Sequence, residues 1–235
     1  MQDPHRRVLV AADMESYSKR NNVLQHRAQV AFRRVMDDAT TAVGLDRVDW
    51  LIQQGGDGEL AILPPRTSER TVAARLAPVA DRLLREVNQG LAPEAKVRLR
   101  LAVHQGLVHL DGANGFPSEA VVHVCRLADS PQLKQALRAF PDANVALIVS
   151  DSVFHEVIEH YRDLRPDQFA EIRAEIPDKG FSATAWIHVP GENAAAATPR
   201  RADTPSPAAG QVFSDITTIG PAQFGNHNTM RNSDG

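Results

Sequence analysis

The chain has 235 residues, of which 43% are hydrophobic and 23% charged, and its formal net charge is -3 at pH 7. Such a composition is typical of a globular protein that buries a core, and the length suits one domain with extensions better than two full domains. The slightly acidic balance gives no electrostatic reason to expect nucleic acid as the main partner. The single cysteine, Cys125, excludes a disulfide framework and a cysteine-based zinc site, and we expect it in the core.

The apolar runs of the chain are all too short for a signal peptide or a membrane span. We therefore expect a cytoplasmic protein without a membrane segment. The composition changes after residue 190, where the segment 191–210 (GENAAAATPRRADTPSPAAG) lacks any apolar periodicity. Such a segment cannot bury enough surface to offset its ordering entropy, which predicts a disordered linker. The expected organisation is a domain at 1–190, the linker, and a β-prone tail at 211–235.

Strands and helices alternate in the predicted domain. The run RRVLVAAD predicts a buried strand, and the following helical periodicity ends at Gly44. Two strands then flank a glycine-rich tip, Ser68 begins a second helix as its N-cap, and KVRLRLAVHQG predicts a half-exposed strand. This β-α-β-β-α-β order is that of a ferredoxin-like α+β fold, with an antiparallel sheet and helices on one face. The core is extended by one helix over 117–137, a strand over 144–151, a helix over 152–161, and strands near 170–177 and 183–189.

Two aspartates follow strands in this order. Asp13 ends the first strand, and Asp57 lies in the stretch QQGGDGEL between the second and third. The Asp-Gly pair has a conformational explanation, because both residues tolerate the positive φ of a tight hairpin turn. It also has a chemical one, because this topology brings the end of the first strand close to the hairpin tip. Two carboxylates would then converge, as hard divalent ions require, and both explanations stay open.

The motifs VLVAADMESYS and GGDGELAIL, with LAVHQGLV and the helix AVVHVCRLADS after them, resemble the class III nucleotidyl cyclases. This family is that of the adenylate and guanylate cyclase catalytic domains. The matching residues include Asp13 with Tyr17 and Ser18 behind it, and the Gly56-Asp57 pair. The resemblance spans about residues 6–190 in the order of the family.

The resemblance implies that the chain converts a nucleoside triphosphate to a 3',5'-cyclic nucleotide and pyrophosphate. Asp13 and Asp57 would hold two Mg²⁺ or Mn²⁺ ions per site, with the carbonyl of Met14 as a further ligand. Arg126 would stabilise the charge that develops in the transition state, and Lys179 would bind the triphosphate. The resemblance also implies a homodimer, in which one subunit supplies the metals and the other supplies the arginine.

Three positions depart from the pattern of the purine cyclases. Val122 stands where the family helix has a ribose-binding Asn, Gln53 stands where a Lys reads the base, and Asn114 or Gly115 stands near a carboxylate position. Gln53 and Gly56 remain candidates for nucleotide binding. Either the chain accepts another base, such as the pyrimidine of phage-defence cyclases, or it is a catalytically inactive module that binds nucleotide or acts as a scaffold.

The end of the chain has a second motif. Residues 212–230 combine β-branched residues with amide side chains, and no Asp, Glu, Lys or Arg occurs from Ile216 to Met230. Such segments stack into cross-β zippers. The stretch resembles the RIP homotypic interaction motif and bacterial amyloid signalling motifs, which implies recruitment by a receptor with a matching motif in a bacterial immune or signalling pathway. The alternative is a frayed apolar terminus. The motif residues are Ala222, Gln223, Phe224, Gly225, Asn226 and Asn228.

Overall fold

The computed structural model describes residues 3–194, which form a mixed sheet with helices on both faces. The predicted tail motif and all of the predicted linker after residue 194 lie outside the described residues. The strands are β1 His5–Met14, β2 Leu51–Gln54, β3 Gly58–Ile62, β4 Leu99–Val108, β5 Val145–Ser150, β6 Ala170–Ile176 and β7 Phe181–His188. The main helices are α1 Asn22–Ala42, α2 Glu69–Val87, α3 Glu119–Asp129 and α4 Pro131–Ala139.

The sheet has seven strands in the order β2-β3-β1-β4-β5-β7-β6. The first four strands pair antiparallel in the arrangement of a ferredoxin-like core, and β5 joins β4 as a parallel neighbour. The remaining pairs are antiparallel. The predicted α+β fold is therefore confirmed, including the closing pair of strands.

Two hydrophobic cores lie on opposite faces of the sheet. Because successive side chains of a strand point to opposite faces, Val8 and Val10 of β1 pack with α1 and α2, whereas Leu9 and Ala11 pack with α3 and α4. The prediction placed the helices of the ferredoxin-like core on one face of the sheet, and α1 and α2 do share one face. The later helices α3 and α4 cover the opposite face. Asp13 follows the alternation of Leu9 and Ala11, so it lies on the side of α3 and α4.

The helix boundaries follow local side-chain chemistry. The hydroxyl of Ser68 accepts a hydrogen bond from the backbone N–H of Thr71, which confirms the predicted N-cap of α2. The residue after the C-cap of α1, Gly44, has a φ of 78°, a left-handed conformation that suits glycine and ends the helix where the sequence predicted.

Two of the predicted helices are wrong. The helix over 117–137 is divided at Ser130, whose hydroxyl caps α4, and Pro131 begins α4 because it has no N–H to leave unpaired. The helix over 152–161 reduces to a three-residue segment, Asp151–Val153, followed by a π-helical turn at Phe154–Ile158. Cys125 is also exposed, contrary to expectation. None of the helices in the described range is long and apolar enough to cross a membrane.

A pair of stacked histidines joins α3 to the sheet. The ring centroids of His104 on β4 and His123 on α3 are 4.5 Å apart, and Nδ1 of His104 lies 2.8 Å from the hydroxyl of Ser150. Burial lowers the pKa of His104 to about 4, with the charges of His123 and Arg6 acting in the same direction. Burial also lowers the pKa of His123.

The buried His104 should therefore contribute a loss of stability on acidification. His104 binds a proton at an ordinary pKa of 6.5 in the unfolded chain but only at about 4 in the folded domain. Its contribution to stability is therefore fully present above pH 6.5 and is lost as the pH falls towards 4. Urea unfolding at pH 7 and pH 5 measures this loss, and the variant His104→Gln should lose less stability than the parent over the same interval. An equal loss in both proteins would contradict the assignment.

Candidate functional site

The end of β1 and the hairpin tip are held together by backbone contacts. The N–H of Met14 donates to the carbonyl of Asp57 at 2.7 Å, and Asp13 stands opposite Gly58 in the β1–β3 ladder. Within the tip, the N–H of Gly55 donates to the carbonyl of Gly58 at 2.8 Å. The segments that carry the two aspartates therefore meet at one end of the sheet.

Gly58 is required because another backbone approaches it closely. A Cβ atom on Gly58 would lie 2.0 Å from the carbonyl oxygen of Ala12 and 2.8 Å from the Cα of Asp13. The turn explanation of the Asp-Gly pair is wrong, because neither Asp57 nor Gly58 has a positive φ. This glycine lets β3 approach β1 at the position of Asp13.

The carboxylate of Asp13 is bound by Arg100 on β4. Nε and Nη2 of Arg100 donate to its two oxygens, each at 2.7 Å. Burial raises the pKa of Asp13 to about 6, Arg100 acts in the opposite direction, and the negative charge of Asp57 adds to the increase. Asp57 is therefore close enough to Asp13 for their charges to interact. Arg100 was missed in the sequence, although it lies on the strand that pairs with the end of β1.

These two carboxylates fit a divalent cation. A carboxylate offers about four lone-pair sites, so Arg100 leaves some of those of Asp13 free, and Asp57 is exposed. A cation would also relieve the repulsion between the two acids. From residue 3 to residue 194 there is no group of three or more His, Cys, Asp or Glu side chains that could hold a metal ion. An ion at this point would complete its shell with backbone, water or substrate oxygens.

Gln29 on α1 connects the two motifs that carry the aspartates. Its side-chain nitrogen donates to the carbonyl of Gly56 at 2.7 Å and to the hydroxyl of Tyr17 at 2.9 Å. Ser16 adopts a left-handed conformation with φ 55°, which turns the chain after β1 towards this contact. No local pattern in the sequence distinguishes Gln29 from other polar residues of α1.

A second group of candidate residues gathers around the end of α3. Nη1 of Arg126 donates to the carbonyl of Lys179 at 3.1 Å, and the ammonium of Lys179 lies 2.6 Å from Asp129. Lys134 of α4 contacts the other oxygen of the same carboxylate. Burial acts to raise the pKa of Asp129, but the hydrogen bonds from Lys134 and Lys179 lower it overall.

Arg126 and Lys179 form a group that lies apart from the two aspartates. Arg126 and Lys179 come together although 52 residues lie between them in the sequence. In the described part of the chain, no hydrogen bond or ion pair joins either of them to Asp13 or Asp57.

The predicted base-reading positions are also neighbours. The side-chain oxygen of Gln53 lies 3.3 Å from the point where a Cβ on Gly115 would stand, and Gly115 has a φ of 97°. Val122 on α3 is 52% exposed. Gln53 and Gly115, which were matched to the base-reading pair, therefore present one amide and no carboxylate, and the position matched to ribose binding presents the apolar side chain of Val122.

The close approach at Gly58 can be tested by substitution. Gly58→Ala should lower the free energy of unfolding by about 2–3 kcal/mol, because its Cβ overlaps backbone that cannot move independently. Urea unfolding measures the change. Gly56→Ala is the matched control, since a Cβ there meets nothing within 4 Å, and its effect should stay within about 0.5 kcal/mol. Equal effects of the two substitutions would contradict this role of Gly58.

The chain resembles known proteins in its structure and not in its sequence. No family model and no curated protein matches the sequence. The structure is similar to an adenylate/guanylate cyclase/hydrolase from Silicibacter pomeroyi, with a TM-score of 0.58 and 18% identity over 81% of this chain and 100% of that one. It is also similar to the guanylyl cyclase Cya2, with a TM-score of 0.53 and 16% identity over 80% and 92% of the two chains.

A third similar structure is the guanylate cyclase domain of RhGC from Catenaria anguillulae, in complex with GTP. The TM-score is 0.50 and the identity 13%, over 81% of this chain and 100% of that one. These relationships establish the fold: residues 3–194 are built like adenylate and guanylate cyclase domains.

Proposed function

We propose that the chain is a nucleotidyl cyclase-like effector that converts a nucleoside triphosphate to a 3',5'-cyclic nucleotide and pyrophosphate. The observation that carries this proposal is the meeting of Asp13 and Asp57 at one end of a sheet with cyclase architecture. A fold alone supports many activities, and the two carboxylates at that point favour this one.

Asp13, Asp57 and the carbonyl of Met14 would hold two Mg²⁺ or Mn²⁺ ions. Bound there, the ions would lower the pKa of the ribose 3'-hydroxyl and neutralise charge on the phosphates. Arg100 keeps the Asp13 carboxylate in one orientation through its two hydrogen bonds. Its planar fork of donors is also suited to phosphate oxygens when a triphosphate lies next to Asp13.

Arg126 and Lys179 would supply positive charge to the phosphates, with Arg126 opposite the developing negative charge. Their separation from the aspartates is consistent with a homodimer in which the two groups come from different subunits.

The base is proposed to be other than a standard purine substrate, with a pyrimidine as the leading candidate. The amide of Gln53 offers both a donor and an acceptor, while Gly115 provides no side chain opposite it. Gly56 would contribute through its backbone, whose position is fixed by the hydrogen bond from Gln29 to its carbonyl.

The second candidate function is a catalytically inactive cyclase-like module that binds nucleotide or serves as a scaffold. Val122 favours it, because an exposed valine cannot form a hydrogen bond to the ribose.

Purified full chain should be incubated with each of the four ribonucleoside triphosphates and Mg²⁺ or Mn²⁺. We expect one cyclic product, detected by mass spectrometry, and a loss of about 100-fold or more in Asp57→Asn, because the proposed metal site loses a charge. Asp142→Asn, at an exposed aspartate away from the site, is the control and should keep the activity. Nucleotide binding without product would support the inactive module.

The linker was predicted at 191–210, but Ala194 is buried in the core on the side of α3 and α4. We further propose that the linker begins after Ala194 and that 211–235 carry an amyloid signalling motif. Templating by a receptor with a matching motif would raise the local concentration of cyclase domains and promote their dimerisation. The support is the low-charge, β-prone sequence at 212–230 and its position after a segment without apolar periodicity.

The motif can be tested with a peptide of residues 211–235 and with the full chain. Both should form thioflavin-positive fibrils, and Gly225→Pro should abolish them because proline cannot donate to a strand ladder. Pro221 argues against a continuous strand across the whole segment, so the proposed zipper lies after it. Ser214→Pro, placed before Pro221, is therefore the control and should leave fibril formation intact. Fibrils in both variants, or in neither peptide nor parent chain, would contradict the motif.

A further inference from the structure

Lys134 lies in the first turn of α4, between the two groups of candidate residues. On one side, its ammonium contacts Asp129, the carboxylate that also binds Lys179. On the other side, α4 is tied to the end of β1: Nε of Arg138 lies 3.9 Å from Glu15, two residues after Asp13. The side chain of Lys134 is 29% exposed.

Further contacts hold α4 in this place. Arg98, next to the start of β4, donates to the carbonyls of Leu137 and Phe140 near the end of α4, and its Nη1 lies 2.9 Å from Glu15. The helix is therefore fixed against the strand end that carries Asp13. These contacts fix the backbone of α4, and with it the point from which the side chain of Lys134 extends.

The charges around Lys134 leave an excess of positive charge. One carboxylate, Asp129, accepts from two ammonium groups, and each ammonium has three N–H donors. Arg126 adds a third positive charge through its contact with the carbonyl of Lys179. The stability of the helix does not explain the lysine, because a positive charge near a helix N-terminus opposes the helix dipole.

We infer that Lys134 is an additional phosphate-binding residue, which joins Arg126 and Lys179 of its own subunit in contacting the polyphosphate chain of a nucleoside triphosphate. The inference deepens the proposed function and rests on it for the identity of the ligand.

Calorimetric titration of the full chain with inorganic tripolyphosphate, and separately with each of the four nucleoside triphosphates in Mg²⁺, tests this role. Lys134→Ala should weaken binding about tenfold, and Lys134→Arg should restore most of it, since a charged hydrogen bond is lost and regained. Lys96→Ala is the matched control and should bind like the parent. Weakening for both ligands indicates a phosphate contact, and weakening for neither overturns the inference.

A double variant separates phosphate binding from simple charge balance. If Lys134 serves only to neutralise Asp129, its removal should have no effect in an Asp129→Asn background, and that result would overturn the inference. A persisting loss of about tenfold supports it. Lys134→Gln provides a second neutral variant, and thermal unfolding checks that each variant is folded. A parent chain that binds neither tripolyphosphate nor nucleotide also overturns the inference.

The failure of the proposed function has a different signature. If Lys134→Ala weakens tripolyphosphate binding but the parent chain forms no cyclic product from any nucleotide, then the cyclase activity is wrong and the phosphate contact stands.

Discussion

The candidate site depends on the register of β1 between β3 and β4. Asp13 faces Gly58 on one side and Arg100 on the other, and a slip of one residue would move its carboxylate to the opposite face of the sheet. Burial of a side chain such as Leu9 contributes about 1.5–3 kcal/mol, whereas partly exposed ion pairs contribute about 1 kcal/mol or less. The hydrophobic alternation of β1 therefore places the acid, and the ion pair with Arg100 orients it afterwards.

The electrostatics of Asp13 set it apart from an ordinary structural ion pair. Burial raises the pKa of Asp13 to about 6 even though both of its oxygens accept from Arg100, and Asp57 adds to the increase. The surroundings of Asp13 therefore favour its charged form less than water does, in spite of the two hydrogen bonds from Arg100. Strongly perturbed carboxylates of this kind are concentrated at functional sites, because burial and neighbouring charges there adjust a group's pKa to its task.

The sequence predicted those features that depend on local patterns. Alternating apolar residues predicted the strands, Ser68 predicted the start of α2, and the topology that followed brought Asp13 and Asp57 to one end of the sheet. The pairing of Asp13 with Arg100 depends on strand register, and the contacts of Gln29 depend on how α1 packs, so neither has a local signal. The break at Ser130 did have one, a capping residue followed by proline, but the apolar periodicity continues across it.

That break determines the electrostatics of the second group. In a continuous helix, Lys134 would follow Asp129 by five residues, and side chains at that spacing do not face each other. The cap at Ser130 and the proline at 131 redirect the chain, so that the first turn of α4 brings Lys134 back to the carboxylate of Asp129. The same carboxylate then binds Lys179, whose carbonyl accepts from Arg126. The interruption of the helix thus adds Lys134 to a carboxylate that also binds Lys179, and Arg126 lies beside this pair through the carbonyl of Lys179.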